Sequence, residues 1–204
     1  MMDIGAMLKA FIYLISSSLL YPVLFLLVLL TFLIIVYAGS FFAEWLEIMR
    51  LDKYQPQDLP DILKNNKSSA MLSHRVHEYI RLLKEINLKD SQAEIAVENL
   101  LQETTTALWK STDKLRILVR IAPALGLIGT LIPMGTGLAA LGQGDMTKLT
   151  TDLVIAFTTT VVGLAIGTAA FFFYTVKRRW IELDVKNMEL ATEIIVSDAE
   201  KVKE

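Results

Sequence analysis

Three long stretches of the chain carry no charged side chain: Ala10 to Ala43 (34 residues), Ile121 to Gly144 (24) and Leu153 to Val176 (24). About 20 apolar residues cross the hydrocarbon core as a helix, so each stretch predicts a membrane span. The first follows a short head with one lysine, Lys9, and no small-residue cleavage site, which reads as a retained helix and not a secretory leader. Its length exceeds one span. Ser16, Ser17 and Ser18 make Phe11 to Leu20 an interfacial lead-in to a span that starts near Tyr21 and Pro22, although one tilted helix also fits. Tyr37, Phe41, Phe42 and Trp45 form an aromatic belt at the far end.

Between the first two spans the pattern changes. Pro56 and Pro60 make Asp52 to Asn66 a loop with short turns. From Ser68 apolar residues recur at helical spacing: Met71, Val76, Ile80, Leu83 and Ile86. Ser91 with Glu94 three residues on reads as a capping box. No Gly or Pro interrupts Ser91 to Ala122, so the helix that starts there is expected to run directly into the second span. That span is rich in small residues, and Pro133 predicts a kink. The link from Gly142 to Lys148 is short, which makes spans two and three an antiparallel hairpin. Beyond Lys177, Arg178, Arg179 and Trp180, mixed apolar and charged residues extend the third helix to about Ala199.

The expected organisation is therefore all-α. Residues 1–20 form an N-terminal segment, 21–43 the first span and 44–120 a cytoplasmic helical block. Residues 121–141 form the second span, 142–151 an outside loop, 152–176 the third span and 177–204 a cytoplasmic helix. Lys and Arg number twelve in residues 44–120 and six in 177–204, against Lys9 and Lys148 on the other side, so the N-terminus is expected outside.

Composition narrows the function classes. At 53 % hydrophobic and 21 % charged residues, with mean hydropathy +0.47, the chain is more apolar than a soluble enzyme of its length. With no cysteine there is no disulfide and no thiolate metal site, and the net charge of −2 gives no reason to invoke nucleic acid. His74 and His77, with Glu78, have ligand-like spacing but lack a third placed ligand, and no metal or cofactor is expected. No phosphate loop or nucleophile elbow is present, and no enzymatic activity is expected.

The spans hold hydroxyls in place of charges. Thr130 and Thr136 lie in the second, and Thr158, Thr159, Thr160, Thr168 and Thr175 in the third. Successive helical residues point about 100° apart, so at most two of the triplet face one lumen. A threonine in a membrane helix commonly bonds its own i−4 carbonyl or holds a neighbouring helix; a ring of such hydroxyls also solvates a cation or passes a proton to a carboxylate. The pathway candidates are Thr130, Thr160 and Thr159. Asp152 is placed at the mouth of span three, where it either satisfies the first helical turn or concentrates cations. Pro123, Gly126, Gly129, Pro133, Gly163 and Gly167 are the packing and kink candidates.

The segments Ile121-Ala-Pro-Ala-Leu-Gly-Leu-Ile-Gly-Thr130 and Ala156-Phe-Thr-Thr-Thr160-Val-Val-Gly163-Leu-Ala-Ile-Gly167 together resemble the MotA/TolQ/ExbB family of ion-driven motor proteins. The resemblance covers roughly Leu115 to Tyr174, and three spans favour its TolQ/ExbB branch over the four-span MotA branch. It implies a homopentamer in the cytoplasmic membrane whose second and third spans line a lumen. Two copies of a single-span ExbD/TolR/MotB-like partner would stand in that lumen, each with an Asp that carries a proton or sodium ion. Thr130 and Thr160 match the family threonines that face this Asp, and Pro123 the proline at the cytoplasmic side of span two. Three positions depart from the pattern. Ile155 stands where TolQ and ExbB usually have a glutamate, Pro133 where the family often has Gly, and the third span lacks a later proline. A non-conducting membrane scaffold is the alternative reading.

Overall fold

A computed structural model describes residues 4–50, 72–86 and 93–201. The expected loop at Asp52–Asn66, Met71 and the Ser91 cap lie outside these residues. Among the described residues there are five helices: α1 (Ile4–Ser18), α2 (Leu20–Arg50), α3 (His74–Glu85), α4 (Ala93–Leu141) and α5 (Met146–Lys201). Three stretches of helix are long and apolar enough to cross a membrane: Ile4–Arg50, Ala93–Leu141 and Met146–Asp198. The protein is an all-α membrane protein. In the most apolar window of each stretch only 17 %, 28 % and 33 % is buried by the chain itself, so most of that surface needs lipid or other chains to cover it.

Two compact units divide the chain. The first comprises Met1–Ala38 and Leu115–Phe173. In it α1 and α2 are separated only at Leu19, where Pro22 lacks the N–H that would bond the Ser18 carbonyl. Val23, Leu27 and Ile34 give α2 a buried stripe, while Phe25, Val28, Phe32, Ile35 and Val36 are exposed. The hairpin of α4 and α5 completes this unit. α4 continues through both Pro123 and Pro133, as membrane helices tolerate when neighbouring groups satisfy the freed backbone.

The turn of the hairpin is a Schellman motif. Gly144 takes the left-handed φ of 80°, its N–H bonds the Leu141 carbonyl, and the Asp145 N–H bonds Ala140 at 3.0 Å. Asp145 then caps α5 by accepting from the Lys148 N–H at 2.9 Å.

The second unit comprises Gly39–Lys114 and Tyr174–Glu204. Ser73 caps α3 by accepting from the Val76 N–H. One face of α3 buries Val76, Tyr79, Ile80 and Leu83 with Leu72, Val97, Met188 and Ala191. The Tyr79 hydroxyl pairs with Thr192 at 2.6 Å. Beside this core runs a polar network. Lys177 meets Glu44 Oε1 at 3.0 Å, and Arg75 lies 2.9 Å from Glu44 Oε2 and 3.4 Å from Asp184. Ser73 donates to Asp184 at 2.7 Å, and the His74 N–H to Glu47 at 3.1 Å. Phe41 stacks on Trp180 with ring centroids 5.1 Å apart. His74 and His77 are exposed.

Candidate functional site

Small residues set how closely α4 and α5 approach. A methyl group built on Gly163 would come within 2.7 Å of the Ala122 carbonyl and 2.8 Å of Gly126 Cα. One on Gly167 would meet the Pro123 ring at 2.6 Å, and one on Gly129 the Thr159 side chain at 2.9 Å. Ala122, Ala156 and Ala170 are fully buried, and Pro133 nearly so. Without a hydrophobic drive between helices in lipid, such backbone contact supplies the packing that holds the hairpin. Pro123 thus has a partner besides its effect on the helix: its ring fills the space over Gly167.

This seam sorts the threonine triplet. Thr159 is buried at 4 % exposure under Gly129 and donates to the Ala156 carbonyl at 2.9 Å. Thr158 is exposed and donates to Val154 at 2.7 Å. Thr160 is half-buried beside the half-buried Thr130 of α4, with the two hydroxyl oxygens 3.3 Å apart. Thr130 donates to the Leu127 and Gly126 carbonyls at 2.8 and 3.0 Å. Thr160 has only long contacts for its proton, Thr130 at 3.3 Å and the Ala156 carbonyl at 3.3 Å. Bonds of that length are weak. The Thr160 hydroxyl is therefore the one in this pair that changes partner at least cost.

Toward the turn, Thr136 reaches across the seam and donates to Asp152 Oδ2 at 2.7 Å, with the Pro133 carbonyl 3.0 Å away as a second acceptor. Because α5 starts at Met146, Asp152 stands in its second turn, and the acid that satisfies the helix start is Asp145. The sequence reading passed over both the Thr136–Asp152 bond and the Glu44–Arg75–Asp184–Lys177 network. Each depends on which residues meet across helices, for which a single sequence carries no direct signal.

The family model described as the MotA/TolQ/ExbB proton channel family matches residues 63–190. A curated protein from Methanothermobacter thermautotrophicus, named "Putative biopolymer transport protein ExbB homolog", is 29 % identical over 101 residues. That match covers 49 % of this chain and 36 % of the relative, so the chain spans about a third of the relative's length. No solved structure matches.

Proposed function

Because the chain belongs to the MotA/TolQ/ExbB proton channel family, a family of channels and not of enzymes, we propose that it is the ring-forming subunit of an ion-driven motor. In this reading several copies, five by family resemblance, enclose a lumen lined by α4 and α5. A single-span partner with an intramembrane Asp stands in the lumen, and ion passage past that Asp does mechanical work on another component. The observation that carries the reading is the half-buried Thr130–Thr160 pair on two helices that bring no charge at that level. A hydroxyl accepts from a protonated Asp and donates to an ionised one, so the pair serves both states of the partner's carboxyl. Gly126, Gly129, Gly163 and Gly167 hold the two threonines in register. Thr159, bonded within the seam, supports them from behind.

The test is the native mass of the detergent-extracted chain, alone and co-expressed with a single-span protein of that type. A ring that takes up two partner copies supports the proposal, and a dimer or trimer that ignores the partner overturns it. In vesicles that hold the complex, Thr160→Val should abolish ion flux and leave assembly intact. Ile155, in place of the family's usual glutamate, favours the second reading of a non-conducting scaffold. On that reading Thr160→Val changes nothing.

A further inference from the structure

In the hairpin between Arg120 and Lys177 the acids are Asp145 and Asp152. Asp145 is committed to the cap of α5. Asp152 is not at the helix start, and its register places it on the seam: residues four, seven and eleven positions on are Ala156, Thr159 and Gly163, all buried. Its side chain is half-buried against α4, where Gly137 leaves room for it; a methyl group there would lie 3.3 Å from Asp152 Cβ.

We propose that Asp152 and Thr136 form a proton-holding station that this chain itself contributes to the ion path, one level nearer the turn than Thr130 and Thr160. The inference rests on the motor reading for its role in transport. Its chemistry follows from the two acceptors of Thr136. When Asp152 is ionised, the Thr136 hydroxyl donates to it at 2.7 Å. When Asp152 takes up a proton, its new O–H donates to Thr136 Oγ1, and the threonine proton swings to the Pro133 carbonyl 3.0 Å away. Both states leave these polar groups bonded, so a proton enters or leaves without the cost of an unpaired buried group. One carboxylate and one hydroxyl are few oxygens for the shell of a hard metal cation, which favours a proton as the occupant.

Eight residues separate Asp152 from Thr160, about 12 Å of helix rise, and six separate Thr136 from Thr130, about 9 Å. The side chains between are apolar apart from the seam-bound Thr159 and the outward Thr158. The two levels are distinct stations. The titratable groups elsewhere on this unit's elements are Lys148 one turn before Asp152, the capping Asp145, Arg116 and Arg120 at the far end of the hairpin on α4, Lys9 and Tyr13 of α1, and Tyr21 and Tyr37 of α2.

The protonated carboxyl is visible as its C=O stretching band in infrared difference spectra of the vesicle-reconstituted protein taken across a pH titration. A band that disappears in Asp152→Asn and shifts in Thr136→Val supports the station. A spectrum unchanged by either variant overturns it, whatever the fate of the motor reading. Proton flux in vesicles with the single-span partner separates the two claims. Asp152→Asn should reduce flux to the partner-free level, although its amide oxygen still accepts from Thr136. If Asp152→Asn conducts normally while Thr160→Val does not, Asp152 is only a clamp between helices and the motor reading stands. If neither variant affects flux, both fall. A flux that follows a sodium gradient and ignores a proton gradient overturns the choice of ion.

Discussion

Single residues on this chain differ sharply in what they tolerate, and the seam glycines show the range. Gly163→Val places carbon inside the van der Waals shell of the Ala122 carbonyl and Gly126 Cα, and backbone cannot yield as a side chain does. The expected cost is about 1–3 kcal/mol of hairpin stability, read as a lowered unfolding midpoint in detergent. Gly135→Ala is the control: nothing lies within 4 Å of the added methyl. Helix propensity favours alanine by about 0.5–1 kcal/mol, so the single chain should be unharmed. Equal loss from both variants would mean that the seam is not what sets the spacing. Asp184 answers to pH. Burial pushes its carboxyl above the ordinary range; the Ser73 hydroxyl and Arg75 pull it back, and Glu47 adds a smaller upward push. A raised value means that the folded chain binds this proton more tightly than the unfolded chain. This contribution is then complete below the unfolded carboxyl's pKa and is lost as pH rises through the folded one. Thermal unfolding followed upward from about pH 4, the unfolded carboxyl's value, should therefore show a component of falling stability that Asp184→Asn removes, and an identical slope in the variant would contradict the assignment.

At the scale of the element, α3 stands on its cap and its buried face. Ser73 serves twice: its oxygen accepts from the Val76 N–H and its proton goes to Asp184. Ser73→Ala should cost about 1–2 kcal/mol for the cap, and it also removes one partner of a buried carboxylate. Loss of α3 protection in hydrogen exchange, with α4 and α5 unaffected, is the expected pattern. The spacing of Val76, Ile80 and Leu83 was legible as a buried stripe because helical period is written into one segment. Tyr79 was not assigned to it, because its hydroxyl needs Thr192, which lies 113 residues further on. The continuity of α4 from the polar block into the second span was legible from the lack of Gly and Pro before Ala122. The second span, read as 121–141, already contains Pro133, and α4 continues through it. The glycine pattern announced a close helix pair. Which glycine meets which residue depends on the hairpin register, fixed by the left-handed Gly144 and the Asp145 cap, and this decides that Thr159 is inside while Thr158 is out.

For the whole molecule, the charge asymmetry carries an expectation of direction across the membrane. Arg50 and Lys53 follow the first span, Arg116 and Arg120 precede the second, and Lys177, Arg178 and Arg179 follow the third. All these clusters lie on one side if three spans are crossed, and basic residues near span ends are retained on the cytoplasmic side. On this expectation the turn at Gln143 faces out, and with it the Thr136–Asp152 end of the hairpin, so in the proposed motor a proton that enters from outside would meet Asp152 before Thr160. Because the chain has no cysteine, single replacements report without background. Gln143→Cys, at the turn, should react with a membrane-impermeant thiol reagent in intact cells. Glu193→Cys, near the end of α5, should react only after permeabilisation. The reverse pattern would invert the orientation and make Thr160 the first station. Labelling of both in intact cells would mean that α5 does not cross the membrane, and would remove the physical basis for an ion path along the hairpin.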